Sequence, residues 1–147
     1  HKRMSSDIMA YDNNNIFAKI LRGEAPSFKV YEDEKTYAFM DVMPQADGHT
    51  LVIPKFPAEN LFDLDPDYAS AIALTVQKLA PAVKRAFKAP GIMIAQLNGA
   101  EAGQTVFHLH SHIIPRFSGL EMKLHARQLA DFDLLKQHAE WIKAELK

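Results

Sequence analysis

Three histidines alternate with other residues in His108-Leu109-His110-Ser111-His112. In an extended chain side chains at i, i+2 and i+4 share a face, so the three imidazoles stand in a row, neighbours roughly 7 Å apart. Leu109, Ser111 and Ile113 face the other way. Three rings with two polar nitrogens each are expensive to bury without partners, so strict alternation of this kind points to chemistry rather than packing. Two chemistries suit such a row. Imidazole is a common zinc ligand, and three of them leave an open coordination position. A neutral imidazole is also a nucleophile that attacks phosphorus, with flanking imidazoles to orient it. Catalytic zinc usually recruits an acidic helper, and the neighbouring sequence offers none. The stretch Gly99-Ala100-Glu101-Ala102-Gly103-Gln104-Thr105, which runs straight into the histidines, can aim backbone N–H groups and the Gln104 and Thr105 side chains at a phosphate. The balance lies with phosphorus, and no metal is expected.

The elements that position these residues follow from periodicity. Asn15 is an N-cap ahead of Ile16, Phe17, Ile20 and Leu21, with Gly23 as a stop, which predicts a short amphipathic helix. Phe28 to Glu32 and Thr36 to Asp41 read as a hairpin across Asp33-Glu34-Lys35. His49 to Pro54 reads as a buried strand closed by proline. Asp65 caps a long helix with Pro66 at its first position and apolar residues at helical spacing to Phe87. Pro81, inside this helix, is expected to kink or divide it. Gly91 to Leu97 and Val106 to Pro115 are further strands, the second carrying the histidine row. Asp131 to Leu146 is a last helix. Hairpin-linked strands with segregated helices predict an α+β domain: an antiparallel sheet of about five strands with a short N-terminal helix, a long central helix and a C-terminal helix.

The bulk properties fit one domain. The 147 residues are 48% apolar and 24% charged, with 17 Lys plus Arg against 18 Asp plus Glu. A net charge of −1 gives no field for a nucleic-acid scaffold. There is no cysteine, which excludes disulfides and thiolate metal sites and is compatible with a reducing compartment. No apolar run approaches the ~20 residues of a spanning helix. The expectation is a cytoplasmic single domain without membrane association, in which residues 1–14 form a loose N-terminal arm whose first residues need not be native.

The histidine segment, followed by Ile113-Ile114, resembles the signature His-φ-His-φ-His-φ-φ (φ apolar) of the histidine-triad superfamily, within its Hint-type nucleotide-binding branch. Asn15 to Glu24, Ala38 to Val42, Gly48 to Lys55 and Ala102 to Val106 match further segments of that branch in the expected order. The family core covers about residues 15–117, and 118–147 form a C-terminal helical extension like that of bacterial members. Ser111 stands where the signature is apolar and bears on packing behind the strand.

The resemblance implies hydrolysis or transfer at the α-phosphorus of nucleoside phosphoramidates or (di)nucleoside polyphosphates, through a nucleotidyl-histidine. His110 would be the nucleophile, His112 would contact phosphate and leaving group, and His108 and His49 would complete the polar cluster. Gln104, Thr105, Gly103 and Asn98 would bind the phosphate or leaving group, and Asp41 would take the ribose hydroxyls. Ile16, Phe17, Phe39 and Val42 would line the base pocket, the base being a purine. No cofactor is required by this chemistry, the rivals being zinc binding by the same imidazoles and a nucleotide-binding partner protein without catalysis. The family is typically homodimeric, and the Asp65–Phe87 helix offers an interface face. Activity should fall with acid near the ~6.5 of an ordinary histidine. His125 and His138 lie outside the motif and are assigned to a solvated helix face. Met40, Met43, Met93 and Met122 are read as fillers in or near the core.

Overall fold

The computed structural model describes residues 11–119 and 128–147; His125 and Met122 lie outside the described residues, as does most of the N-terminal arm. Helix α1 spans Ile16–Leu21, and the Asn15 side chain accepts from the Ala18 N–H at its start. Strands β1 (Lys29–Glu32), β2 (Thr36–Met40) and β3 (Thr50–Pro54) follow, then helix α2 (Pro66–Phe87), β4 (Gly91–Gln96), β5 (Ser111–Arg116) and helix α3 (Phe132–Glu145). The five strands form one sheet in the order β1-β2-β3-β5-β4, every neighbour antiparallel. This is the α+β arrangement expected from the sequence.

The period-2 alternation of the strands divides the sheet into two faces. Ala38, Met40, Val52 and Ile113 point to α2 and α3, where they meet Ile72, Leu79, Val83, Leu135 and Ile142 in the main core. Phe39, Leu51 and Ile53 point the other way and pack with Phe17 and Ile20 of α1. The two buried hydroxyls Thr36 and Thr75 satisfy each other at 2.8 Å across the β2–α2 contact.

Helix α2 begins as expected, with the Asp65 carboxylate accepting from the Asp67 N–H and Pro66 in the first turn. It does not divide at Pro81: the helix is continuous from Pro66 to Phe87. Pro81 lies on the exposed side, where water can replace the backbone hydrogen bond that proline removes.

The histidine strand starts later than its alternation suggests. Regular pairing begins at Ser111, so His108 and His110 precede β5. The cause is local competition for the backbone. The His108 carbonyl accepts from the His110 ring at 2.8 Å, and the Leu109 N–H donates to the Ala58 carbonyl at 2.9 Å, so neither joins a ladder. The alternation of faces survives: Leu109 is in the main core and the histidines are on the α1 side. Ser111, facing away from them, is buried and accepts from the Gln96 amide at 3.4 Å, which removes most of the packing penalty of a hydroxyl there.

His138 is not on a solvated face. It is buried in α3, edge-on to Phe87 at 4.9 Å and beside Trp141 at 5.1 Å, and burial lowers its pKa. Of the methionines, Met40 is core, Met93 lines the cavity described below and Met43 is exposed. The Phe87 ring also closes over Gly48 in the turn before β3. Gly48 has φ +91°, and a Cβ there would stand 2.7 Å from the ring, so only glycine fits.

Candidate active site

Tyr37, Phe39 and Asp41 continue one face of β2, and Leu51 and Ile53 with His49 continue the same face of β3. The Asp41 N–H donates to the His49 carbonyl, which sets the two side chains next to each other where the strands end. In β5, His112 pairs with Leu51, which brings it onto that face. The ring centroids of His49 and His112 are 5.1 Å apart and those of His110 and His112 are 5.0 Å apart. Phe17 of α1 stands edge-on to His110 at 4.9 Å. Together these residues border a cavity of about 440 Å³, whose lining includes Asp41, His49, His110, His112, Gly103 and Thr105. Its apolar lining includes Ile16, Phe17, Phe39 and Val42, the four expected to line it, with Ile20 and Leu51.

The hydrogen-bond partners determine where each proton sits. The Gln45 backbone N–H donates to Nδ1 of His49 at 2.9 Å, so that nitrogen carries a lone pair and Nε2 carries the proton. His49 Nε2 then donates to His112 Nδ1 at 2.9 Å, leaving the proton of His112 on Nε2. That nitrogen is buried and has no partner among the described residues. His110 Nδ1 must donate to the His108 carbonyl, which leaves its Nε2 as a bare lone pair. His108 donates from Nε2 to the Pro54 carbonyl at 2.9 Å and accepts at Nδ1 from the Tyr11 hydroxyl at 2.6 Å.

Burial keeps these rings neutral. Desolvation holds His49 at a pKa of about 3, with His112 and His110 adding repulsion, and holds His108 and His112 at about 4. His110 is lowered as well, mainly by burial and against the His108 carbonyl. Asp41 moves the opposite way, raised by burial to about 6 although its carboxylate accepts from the Met43 N–H. Its second oxygen lies 3.5 Å from His49 Nε2. Because His49 is neutral, this contact is a carboxylate facing an N–H dipole rather than an ion pair.

Two expected phosphate ligands have other work. The Gln104 side chain is buried, accepting from the Gly99 N–H and donating to the Glu59 and Val106 carbonyls. Asn98 accepts from the Leu61 N–H and donates to Gln96. Both are struts that hold the glycine turn, in which Gly99 and Gly103 have positive φ and the backbone groups need side-chain partners. Thr105 is exposed and Gly103 partly so, and both line the cavity. Two contributors carry little signal in the sequence. Gln45 acts through its main chain, and Tyr11 belongs to the segment read as a loose arm.

One oxygen of Asp41, one nitrogen of His49 and one of His112 lie within 4.8 Å of each other, which on distance suits a divalent ion. The proton positions do not. A zinc ligand needs the lone pair of His49 on Nε2, whereas the Gln45 N–H claims the lone pair of Nδ1 and leaves a proton where the metal would sit. The residues present do not fit zinc without loss of that bond.

A HIT domain profile matches residues 22–119. The chain belongs to the HIT family. Among solved structures it is similar to a Hit-like protein from Bartonella henselae, described as involved in cell-cycle regulation, with 52% identity and a TM-score of 0.87 over 93% of this chain and all of that one. A Zn-bound histidine triad family protein from Mycobacterium smegmatis superposes with a TM-score of 0.79 at 36% identity, covering 90% and 93% of the two chains. Among curated proteins, the adenosine 5'-monophosphoramidase HNT1 of Candida albicans is 39% identical over 94% of this chain and 95% of its own.

A raised folded pKa for Asp41 means that its neutral form stabilises the fold, and that this stabilisation is lost as pH rises through about 6. Asp41→Asn should therefore raise the thermal midpoint at pH 7.5, by up to about 2–3 kcal/mol of stability, and the gap should narrow as pH falls to 5. Thermal unfolding at the two pH values measures it; a lower midpoint for the variant at pH 7.5 would contradict the burial argument.

Proposed function

We propose that this protein hydrolyses nucleoside 5'-phosphoramidates, with His110 as nucleophile at the α-phosphorus. The observation that carries the proposal is the His110 hydrogen bond to the His108 carbonyl, which leaves the Nε2 lone pair for attack at neutral pH. The histidine Nε2–P bond forms as the P–N bond breaks, and the amine, protonated in the reacting form of the substrate, departs as the neutral amine. The resulting nucleotidyl-imidazolium keeps its Nδ1–H on the His108 carbonyl. Water then attacks phosphorus, the Nε2–P bond breaks, and the proton from water leaves with the amine or the solvent. His112 Nε2–H, buried without a partner, is placed to donate to a phosphoryl oxygen, with Gly103 and Thr105 on the same wall. Asp41, ionised above about pH 6, accepts from the ribose hydroxyls. The apolar lining of Ile16, Phe17, Phe39 and Val42 receives the base.

Charge supports one of the two substrate classes that the sequence left open. Among the described residues no Lys or Arg lines the cavity, its histidines are neutral and the one charged group of its lining is a carboxylate. A dinucleoside polyphosphate would bring several negative charges with no cation of this lining to meet them. A phosphoramidate brings one phosphoryl charge and a leaving group that accepts a proton. The activity of the Candida relative agrees with this preference.

We also infer a homodimer built on β4. The opposite edge, β1, is guarded by a register irregularity between Lys29 and Tyr31 and by the Lys29–Glu32 pair. Strand β4 has neither device, and Ile94 on it is 47% exposed, as is Leu74 at 65% on α2. Absence of cysteine suits a cytoplasmic setting. Light scattering should return twice the 16.5 kDa chain mass, and a monomer at micromolar concentration would refute this assignment.

His110→Gly should abolish turnover of adenosine 5'-phosphoramidate while AMP still binds, and rapid quenching of the unsubstituted protein should give an adduct of one nucleotidyl group by intact mass. Turnover by the variant at a rate near that of the original protein would exclude the covalent route. The pH profile should differ from that of an ordinary histidine. Because the pKa of His110 is lowered, kcat should stay level through pH 6.5; kcat/KM should fall near pH 6 as Asp41 takes a proton. A kcat that halves near 6.5 would show an unperturbed nucleophile.

A further inference from the structure

One hydroxyl of the cavity lining comes from outside the strands and the glycine turn. Ser27, on the segment between α1 and β1, lines the cavity with Ala25 and Pro26; Phe17, Ile20 and Phe39 line it too, and Ala25 and Tyr37 pack against that apolar cluster. The other polar side chains of the lining, Asp41, Gln45, His49, Thr105, His110 and His112, include the whole phosphate and ribose machinery and none comes from this segment. Ser27 Oγ lies 2.6 Å from the Tyr37 hydroxyl, and Tyr37 itself is not part of the lining. Tyr37 precedes Phe39 on the same face of β2, their rings 5.8 Å apart, and Phe39 is edge-on to Phe17 at 5.4 Å. A continuous line of rings thus runs from the nucleophile to this pair: His110, Phe17, Phe39, Tyr37.

We propose that Ser27, oriented from behind by Tyr37, reads the polar edge of the substrate's base and is a specificity-determining residue of the site. This rests on the assignment of the cavity to a nucleotide. A phenol is a stronger acid than an aliphatic alcohol, so in the pair Tyr37 donates and Ser27 accepts. The Ser27 proton is then free to point into the cavity. An apolar slot that stacks a flat ring is tolerant of its identity, because every base has a π-face; a hydroxyl at its end is not, since it must find an acceptor or stay unbonded. The six-membered ring of a purine presents such acceptors in its ring nitrogens or a carbonyl oxygen. A bicyclic ring of the same shape without them fills the slot and leaves Ser27 unbonded.

Calorimetric titration of AMP and of benzimidazole riboside 5'-monophosphate tests this without requiring turnover. The second ligand keeps the bicyclic shape, ribose and phosphate but lacks the nitrogens and amino group of the six-membered ring. Ser27→Ala should weaken AMP on the order of fivefold to tenfold, the net worth of one neutral hydrogen bond, and leave the benzimidazole ligand unchanged. Ser27→Thr, which keeps the hydroxyl, should retain the preference for AMP. Tyr37→Phe, which leaves Ser27 free to turn, should fall between the wild type and Ser27→Ala with AMP alone. Equal weakening of both ligands by Ser27→Ala, or none for AMP, would overturn base reading while the nucleotide site stands. Failure of the unsubstituted protein to bind either ligand would overturn both.

Discussion

The backbone N–H of Gln45 meets Nδ1 of His49 at 2.9 Å, and a main-chain amide has only one role to play. From that contact the protons of a whole chain of groups follow. His49 must donate from Nε2, His112 must accept at Nδ1, and the remaining proton of His112 must face outward on Nε2. The same logic, with carbonyls in place of the amide, applies to His108 and His110. Neutral imidazole has two tautomers, and a site of four such rings could hold many proton arrangements. Main-chain groups of Gln45, Pro54 and His108 reduce them to one. It leaves a lone pair on His110 and a donor on His112, the pair of roles that attack on phosphorus calls for.

Burial is what allows main-chain dipoles to have this authority. With water excluded, the rings stay neutral well below the usual histidine range, and a single hydrogen bond decides between tautomers that would be nearly equivalent in solvent. The same dry surroundings make Asp41 reluctant to ionise. The site therefore carries a carboxylate that costs stability and a buried N–H with no partner among the described residues. Both are local conflicts of the kind expected where a protein is built to meet a ligand rather than to be at its most stable.

Much of this was legible in the sequence where residue type and role coincide. Asn15 and Asp65 each cap the helix that they precede, and the alternation of β2, β3 and the histidine segment delivers Asp41, His49, His110 and His112 to one face. The alternation did not reveal that His108 and His110 lie outside the ladder, because the competitor for the His108 carbonyl is a side chain two residues on. Gln104 and Asn98 have the chemistry of phosphate ligands and of struts alike; what decides is the proximity of Glu59 and Leu61, some 40 residues away in the chain. His138 looks the same whether solvated or packed, and only its neighbours Phe87 and Trp141 distinguish the two. The contribution of Gln45 has no sequence signature at all, since any residue other than proline supplies an N–H.

The ring of Phe87 lies on Gly48, immediately before His49, and is itself covered by His138 and Trp141 of α3. A turn at the edge of a site commonly opens on its own, faster and more often than the domain unfolds. Here the turn is clamped under the end of one helix, and that helix end is clamped under another. Opening it requires both helices to shift, so the presentation of His49 is tied to the packing of α2 on α3 rather than to the turn alone.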